Sequence, residues 1–359
     1  MPIWCDAEPL RTEPSWGRHG RYPVPVILVV GGANLDSTLR TQTAAVLRTS
    51  NPATLTQSAG GVGRNIAENL ARLGHTVVLV APIGADAAGR ELLDRTSAAG
   101  VDCTHVVASA HPTGAYVAVV DDAGELVIGA SDMTAADALT IPDLAAVPTL
   151  LRHTALLVLD GNLPAAISAH LLDAAALRAI PVVIDPVSIR KAEMLSGVLG
   201  WSRPVHTITP NLAELAVLTG CEVTDEAPEI AAVAAVLHAR GVDRVWVRRG
   251  PGGSLLSAVV RGEQQVARYA APHAEVIDVT GAGDSMTAGY VHALLTDGDA
   301  FGAAAYGQAL AALTVESAHT VRPDLSTDLV ADRISRGGIP LPRDPTTGRA
   351  TTSHAQGEP

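Results

Sequence analysis

Short, uninterrupted apolar runs recur along this chain, and each is closed by small or polar residues. Val26–Val30 is the first, followed by residues 77–81, 156–159, 181–184, 205–209, 245–247 and 255–259. Runs this short and this apolar read as strands buried on both faces, the habit of a parallel sheet. Between them, apolar residues recur at helical spacing over 66–73, 84–100, 165–178, 211–219, 285–295 and 302–315. Gly74 and Gly220 follow two of these segments as helix stops. This alternation predicts an α/β fold, with a mainly parallel central sheet between helical layers.

Two stretches break the rhythm. Residues 38–56 carry β-branched, alternating positions without a helical stripe, and 113–120 and 126–129 read as a hairpin around Asp121-Asp122-Ala123-Gly124-Glu125. They predict a small separate β-sheet, with strands within about 38–58 and 111–130, that covers a pocket and excludes water from it. Residues 1–25 and 337–359 lack periodicity and are expected as tails around one folded unit, 26–336.

The composition is 47% hydrophobic but only 3% aromatic, so the core must be built from Ala, Val, Leu and Ile. A formal net charge of −12 argues against a broad surface for nucleic acid or an anionic membrane. An anionic ligand would need a local device. No run approaches the ~18 apolar residues of a membrane span and no signal-like segment opens the chain, so a cytoplasmic location is expected. Cys5, Cys103 and Cys221 lack metal-ligand spacing, and their odd number argues against a disulfide framework.

The candidate chemistry sits where apolar runs end. Asp278-Val279-Thr280-Gly281-Ala282-Gly283-Asp284 leads into a helical segment. Two glycines around an alanine let successive N–H groups point one way, and a helix start adds unpaired N–H groups and positive potential. An anion cradle with a carboxylate at its edge suits phosphoryl transfer to an alcohol, although an ordinary acidic helix start has the same pattern. Asn34 and Asp36 follow the first strand, and a carboxylate there can accept from two sugar hydroxyls or finish an Asx-type turn. Gly31-Gly32-Ala33 is not the G-x-G-x-x-G of a dinucleotide fold, which disfavours an oxidoreductase. Gly60-Gly61-Val62-Gly63 precedes a helix that carries Asn65 in its first turn. Asp132 reads as a helix cap or a ligand contact, and Lys191, the only lysine, as a surface residue or a point charge. Asn211 and Glu214 have capping-box spacing, which taken alone reads as a helix cap, and the same two side chains could orient magnesium-bound water. Arg248-Arg249-Gly250-Pro251-Gly252-Gly253 offers a Gly-rich turn for phosphates or a base.

Gly60-Gly61 with Asn65 and Ala67, Asn211-x-x-Glu214 and the 278–284 motif resemble, in order and spacing, the ribokinase-like (phosphofructokinase-B type) carbohydrate and nucleoside kinases over roughly 26–325. Within that family, the pseudouridine kinase branch is similar in Gly31-x-Ala33-Asn34-x-Asp36, Asn51-Pro52 and Val62-Gly63-Arg64-Asn65-Ile66-Ala67. Asp132-Met133, Asp185-Pro186-Val187-Ser188 with Lys191, and Pro323-Asp324-Leu325-Ser326 extend that similarity. The resemblance implies a three-layer sandwich with a β-sheet lid that often mediates a homodimer, and ATP and Mg²⁺, with K⁺ or a similar ion near Asp278 and Thr280. It implies Asp284 as base and the amides of Gly281, Ala282 and Gly283 as anion hole. Asn34, Asp36, Gly60, Gly61 and Asn65 would hold a ribose, with Asp132 and Lys191 also at the substrate. Asn211 and Glu214 would hold Mg²⁺ through water, and Asn211, Arg249, Gly250, Gly253, Thr280, Gly281, Gly283 and Gln308 would meet the nucleotide. The partner implied is a small nucleoside or sugar, with pseudouridine foremost and ribose, adenosine or fructose as alternatives. A catalytically silent nucleoside-binding regulator is a further alternative, against which the intact Asp284 and Gly281-Ala282-Gly283 argue. Arg248 departs from the family, whose members usually carry Thr or Ser there.

Overall fold

The computed structural model describes residues 26–337, so the expected tails lie outside the described residues, apart from Gly337, which ends the last helix. Its strands are β1 (Val26–Val30), β2 (Asn34–Thr41), β3 (Ala53–Gly60), β4 (Thr76–Val80), β5 (Pro82–Gly84), β6 (Val107–Ser109) and β7 (Gly114–Val120). They continue with β8 (Leu126–Asp132), β9 (Thr154–Asp160), β10 (Val182–Asp185), β11 (Val205–Ile208), β12 (Val242–Arg248), β13 (Ser254–Val260) and β14 (Glu263–Tyr269).

The central sheet runs β14-β13-β12-β11-β10-β9-β1-β4. It is parallel from β12 to β4, with β13 and β14 joined antiparallel at one edge. Along β1, Leu28 and Val30 pack into one apolar cluster while Ile27 and Val29 pack into the other. That is the two-sided burial the uninterrupted runs predict. One layer contains the helices Ala165–Ala176, Ile189–Ser196, Leu212–Thr219 and Ala227–His238; the other contains Val62–Arg72, Ala282–Asp297 and Ala300–Val315. β14 was not predicted because it is an edge strand whose first residues, Glu263-Gln264-Gln265, face solvent.

The small sheet has the order β3-β2-β7-β8. It begins earlier than its sequence pattern suggests. Asn34 and Asp36 do not finish the first strand; they open β2, after a buried link of only residues 31–33. Asn34 pairs in register with Gly60 of β3 and Gly114 of β7, so this lid is rooted beside the carboxyl end of β1. The helix predicted from Ile66 likewise starts at Val62, because Gly63, Arg64 and Asn65 are buried without being apolar and so hide its period. No helix among the described residues is long and apolar enough to cross a membrane.

Candidate active site

Ligands of open α/β sheets bind at the carboxyl ends of the strands. Here that edge presents Gly31 after β1, Asp160 ending β9, Asp185 ending β10, Thr209 after β11 and Arg248 ending β12. Asp160 and Asp185 are register partners, which sets two buried carboxylates side by side.

Asp160 was not singled out from the sequence, yet it organises the floor. Its Oδ2 accepts from Gly32 N at 2.8 Å, Gly63 N at 2.7 Å and Asn162 Nδ2 at 3.0 Å, and its Oδ1 accepts from Asn162 N at 2.9 Å. One fully buried carboxyl thereby pins the β1 exit to the helix start at Gly63. Burial raises its pKa, and these donors pull it back. The available signal was its place after the run 156–159, the same rule that drew attention to Asn34 and Asp36. Gly61 fits the same crossing through its backbone. Its φ is +97°, and a Cβ there would lie 2.5 Å from both Ala33 Cα and Gly32 O. Gly61→Ala is expected to lose about 1–3 kcal/mol of stability and to raise the acceptor KM, as urea unfolding and steady-state kinetics would show.

Asp284 is buried in the first turn of the Ala282–Asp297 helix. Its Oδ2 accepts from Asn65 Nδ2 at 2.8 Å. Burial, then the neighbouring Asp185, push its carboxyl up to about 7, against the pull of Asn65 and Arg248. Asn65 is itself fixed, because its Oδ1 accepts from Arg64 Nη1 at 3.0 Å. Arg64 is buried, donates to Ala59 O and Thr96 Oγ1, and pairs with Glu68. Glu68 in turn accepts from Arg72, whose Nη1 reaches Pro323 O at 2.6 Å. A line of fixed donors and acceptors therefore runs from Pro323 to Asp284. Neither Arg64 nor Glu68 was read as a site residue.

On the lid side, Asn34 Nδ2 donates to Asp36 Oδ1, and burial lifts the Asp36 carboxyl to about 6. Gly60 lies against that carboxylate, since a Cβ on it would fall 2.1 Å from Asp36 Oδ2. A small pocket beside them is lined by Asn34, Gly114, Met133 and Asn162. Lys191 reaches the same corner, donating to Asn162 Oδ1. Asp132 is exposed and caps the next turn, its Oδ1 accepting from Thr134 N at 3.0 Å and Thr134 Oγ1 at 2.6 Å.

Asn211 and Glu214 form the reciprocal capping box that their spacing allows, with both bonds at 2.9 Å. Burial raises the pKa of the Glu214 carboxyl, against the pull of the Asn211 N–H. Arg249 pairs with Asp225 and donates to Gly252 O, while Gly250 and Gly253 shape the turn after β12 at φ +55° and +83°. Gln308 is buried, and one N–H of its amide donates to Ser254 Oγ at 2.7 Å. Thr280 N donates to Asp278 Oδ1 at 2.8 Å. Of the three expected anion-hole amides, Ala282 N donates to Val279 O at 3.2 Å; those of Gly281 and Gly283 have no acceptor among the described residues. Gly281 is held at φ +79° over Thr320 O. Arg248 Nη2 donates to Asp185 Oδ2 at 2.8 Å, to Thr209 Oγ1 at 2.6 Å and to Thr287 Oγ1.

The fold that carries this site has counterparts among known proteins. Residues 26–328 match the pfkB family carbohydrate kinase model, and the chain belongs to that family. It is 32% identical over 303 residues to the pseudouridine kinase of Escherichia coli (strain K12), covering 84% of this chain and 93% of that protein. An uncharacterized sugar kinase of the same organism is 34% identical over 302 residues, covering 84% of this chain and 81% of that protein. The structure of Arabidopsis thaliana ribokinase complexed with ribose and ATP superposes with a TM-score of 0.75 at 25% identity, covering 87% of this chain and 99% of that one.

Proposed function

We propose that this carbohydrate kinase family member uses magnesium ATP to phosphorylate the ribose 5′-hydroxyl of pseudouridine, yielding pseudouridine 5′-phosphate and ADP. The observation that carries this reading is Asp284, a buried carboxyl oriented by Asn65 at a helix N-terminus behind Gly281 and Gly283. With its pKa raised to about 7, it is matched to accepting a hydroxyl proton near neutrality. The hydroxyl oxygen attacks the γ-phosphorus in line, the bond to ADP breaks, and the proton passes to Asp284. Such transfer depends on positioning and charge stabilisation more than on a strong base.

In this reading Asn34, Asp36, Gly60, Gly61 and Asn65 hold the ribose, with Asp132 and Lys191 also at the substrate, Lys191 beside Asn162. Asp132 has one carboxylate oxygen unused by its cap, which can accept from the ring N–H that pseudouridine has and uridine lacks. The donor set suits magnesium that arrives with the nucleotide. Among the described residues no three His, Cys, Asp or Glu side chains cluster to cage a metal, while Glu214 offers a carboxylate to metal-bound water. Bound magnesium would offset charge on the transferring phosphate. We assign the nucleotide to Asn211, Arg249, Gly250, Gly253, Thr280 and Gln308, and a K⁺-type ion to the loop of Asp278 and Thr280. Leu55, Leu126 and Ile128 are exposed on the lid and suit a homodimer made through it, and the expected location is the cytoplasm.

Assaying pseudouridine, uridine, adenosine, ribose and fructose with magnesium ATP tests the reading. Pseudouridine is expected to give the highest kcat/KM. A clear preference for ribose or adenosine would reassign the substrate within the family. Nucleoside binding without ATP turnover on any acceptor would favour a catalytically silent nucleoside-binding regulator.

A further inference from the structure

We propose that Arg248 is a catalytic residue of this transfer: its Nη1 donates to a non-bridging oxygen of the phosphoryl group as that group passes from ADP to the acceptor oxygen. The inference rests on the kinase reading and adds a contact to it.

Arg248 ends β12 at the sheet's carboxyl edge, and its backbone joins the nucleotide-side helix. Its N–H donates to Pro210 O at 2.8 Å, and it forms a parallel bridge with Asn211. The side chain crosses to the opposite helix start, where Nη1 comes within 2.7 Å of the point a Cβ on Gly283 would occupy. Arg248 thus spans the Asn211/Glu214 corner and the Gly281–Gly283 turn.

The guanidinium is used on one side only. Asp185, Thr209 and Thr287 all accept from Nη2, which has two hydrogens for three acceptors. Nη1 has no acceptor among the described residues, and Nε is buried without one. An arginine serving only to neutralise Asp185 would engage it in the stronger two-nitrogen fork. This one instead keeps a donor turned toward Gly283, although an unmade donor to a charged group is costly. Asp185, Asp284 and Glu214 surround it, and Arg248 draws down the pKa of both Asp284 and Glu214. A triphosphate entering among these carboxylates needs a cation, and Arg248 is placed to meet it. During transfer the acceptor oxygen bonds to phosphorus, the bond to ADP breaks and Asp284 takes the hydroxyl proton.

The test compares wild type, Arg248→Lys and Arg248→Thr in steady-state kinetics, thermal melting and binding of ADP against a non-hydrolysable ATP analogue. Both variants are expected to lose about 10²-fold in kcat. Acceptor KM should stay within about threefold, and added guanidinium should partly restore Arg248→Thr. The preference for the ATP analogue over ADP should fall in both, because only the triphosphate reaches Nη1. Arg248→Lys keeps a cation for Asp185, so a folded but slow Lys variant separates chemistry from packing. Turnover of both variants near wild type, or equal losses of ADP and analogue affinity without guanidinium rescue, would overturn the assignment. If wild type phosphorylates no acceptor, the kinase reading fails, and the analogue-to-ADP ratio still decides whether Arg248 meets the terminal phosphate.

Discussion

Asp284→Asn is expected to lower kcat by about 10²–10⁴ while the protein stays folded. The amide keeps an oxygen for Asn65 Nδ2 and removes the proton acceptor. In wild type, acceptor kcat/KM should fall about tenfold per pH unit once pH drops below the Asp284 pKa of about 7, because the protonated carboxyl cannot accept. Stability should move the opposite way. A carboxyl raised from 3.8 to about 7 favours folding while protonated and loses that contribution as pH rises through about 7. Burying the charge costs on the order of 4 kcal/mol at pH 8. The Asn variant should therefore melt higher than wild type at pH 8, with the gap opening between about pH 4 and 7. Near wild-type turnover by Asp284→Asn on the preferred acceptor would remove the base from the mechanism.

Glu68→Ala is expected to cost about 3–5 kcal/mol, read from the urea midpoint, because it leaves Arg64 buried without its carboxylate. Glu68 holds Arg64 on one side and Arg72 on the other, the latter at 2.7 and 2.8 Å. Arg64→Met with Glu68→Leu should recover most of that stability, since apolar residues often replace a buried pair well. Turnover should stay low even so, because Asn65 Oδ1 loses the donor that orients its amide toward Asp284. A double variant as active as wild type would reduce the Arg64 line to packing alone. A loss below about 1 kcal/mol in Glu68→Ala would mean that water already reaches the pair.

The parallel strands were legible because burial on both faces leaves uninterrupted apolar runs, and the 278–284 motif was legible because helix-start chemistry is local. What escaped depends on distant partners. Asp160 matters because Gly32 and Gly63 donate to it across 128 and 97 residues of chain, which no local pattern records. Arg64, Glu68 and Arg72 look like solvated i,i+4 pairs until the fold buries the first two, with Arg64 set against Ala59 of β3 and Thr96. Arg248 stood out as a departure from the family's usual residue, yet only the folded chain shows its fork shared between Asp185 and the Gly283 turn. Asn34 and Asp36 were noticed as a polar strand end but assigned to the wrong strand, because the link after β1 is too short to read as a change of sheet.

That short link has a mechanical consequence. The side chains assigned to grip the ribose belong to the opening residues of β2, so the sugar would be clasped by the swinging part and not merely covered by it. Any tilt of the small sheet would bend residues 31–33 along with its other connections, and there Gly32 is already tethered to Asp160. Occupancy and closure would then be one variable. Departure of the product would be timed by the stiffness of the short links that root the lid.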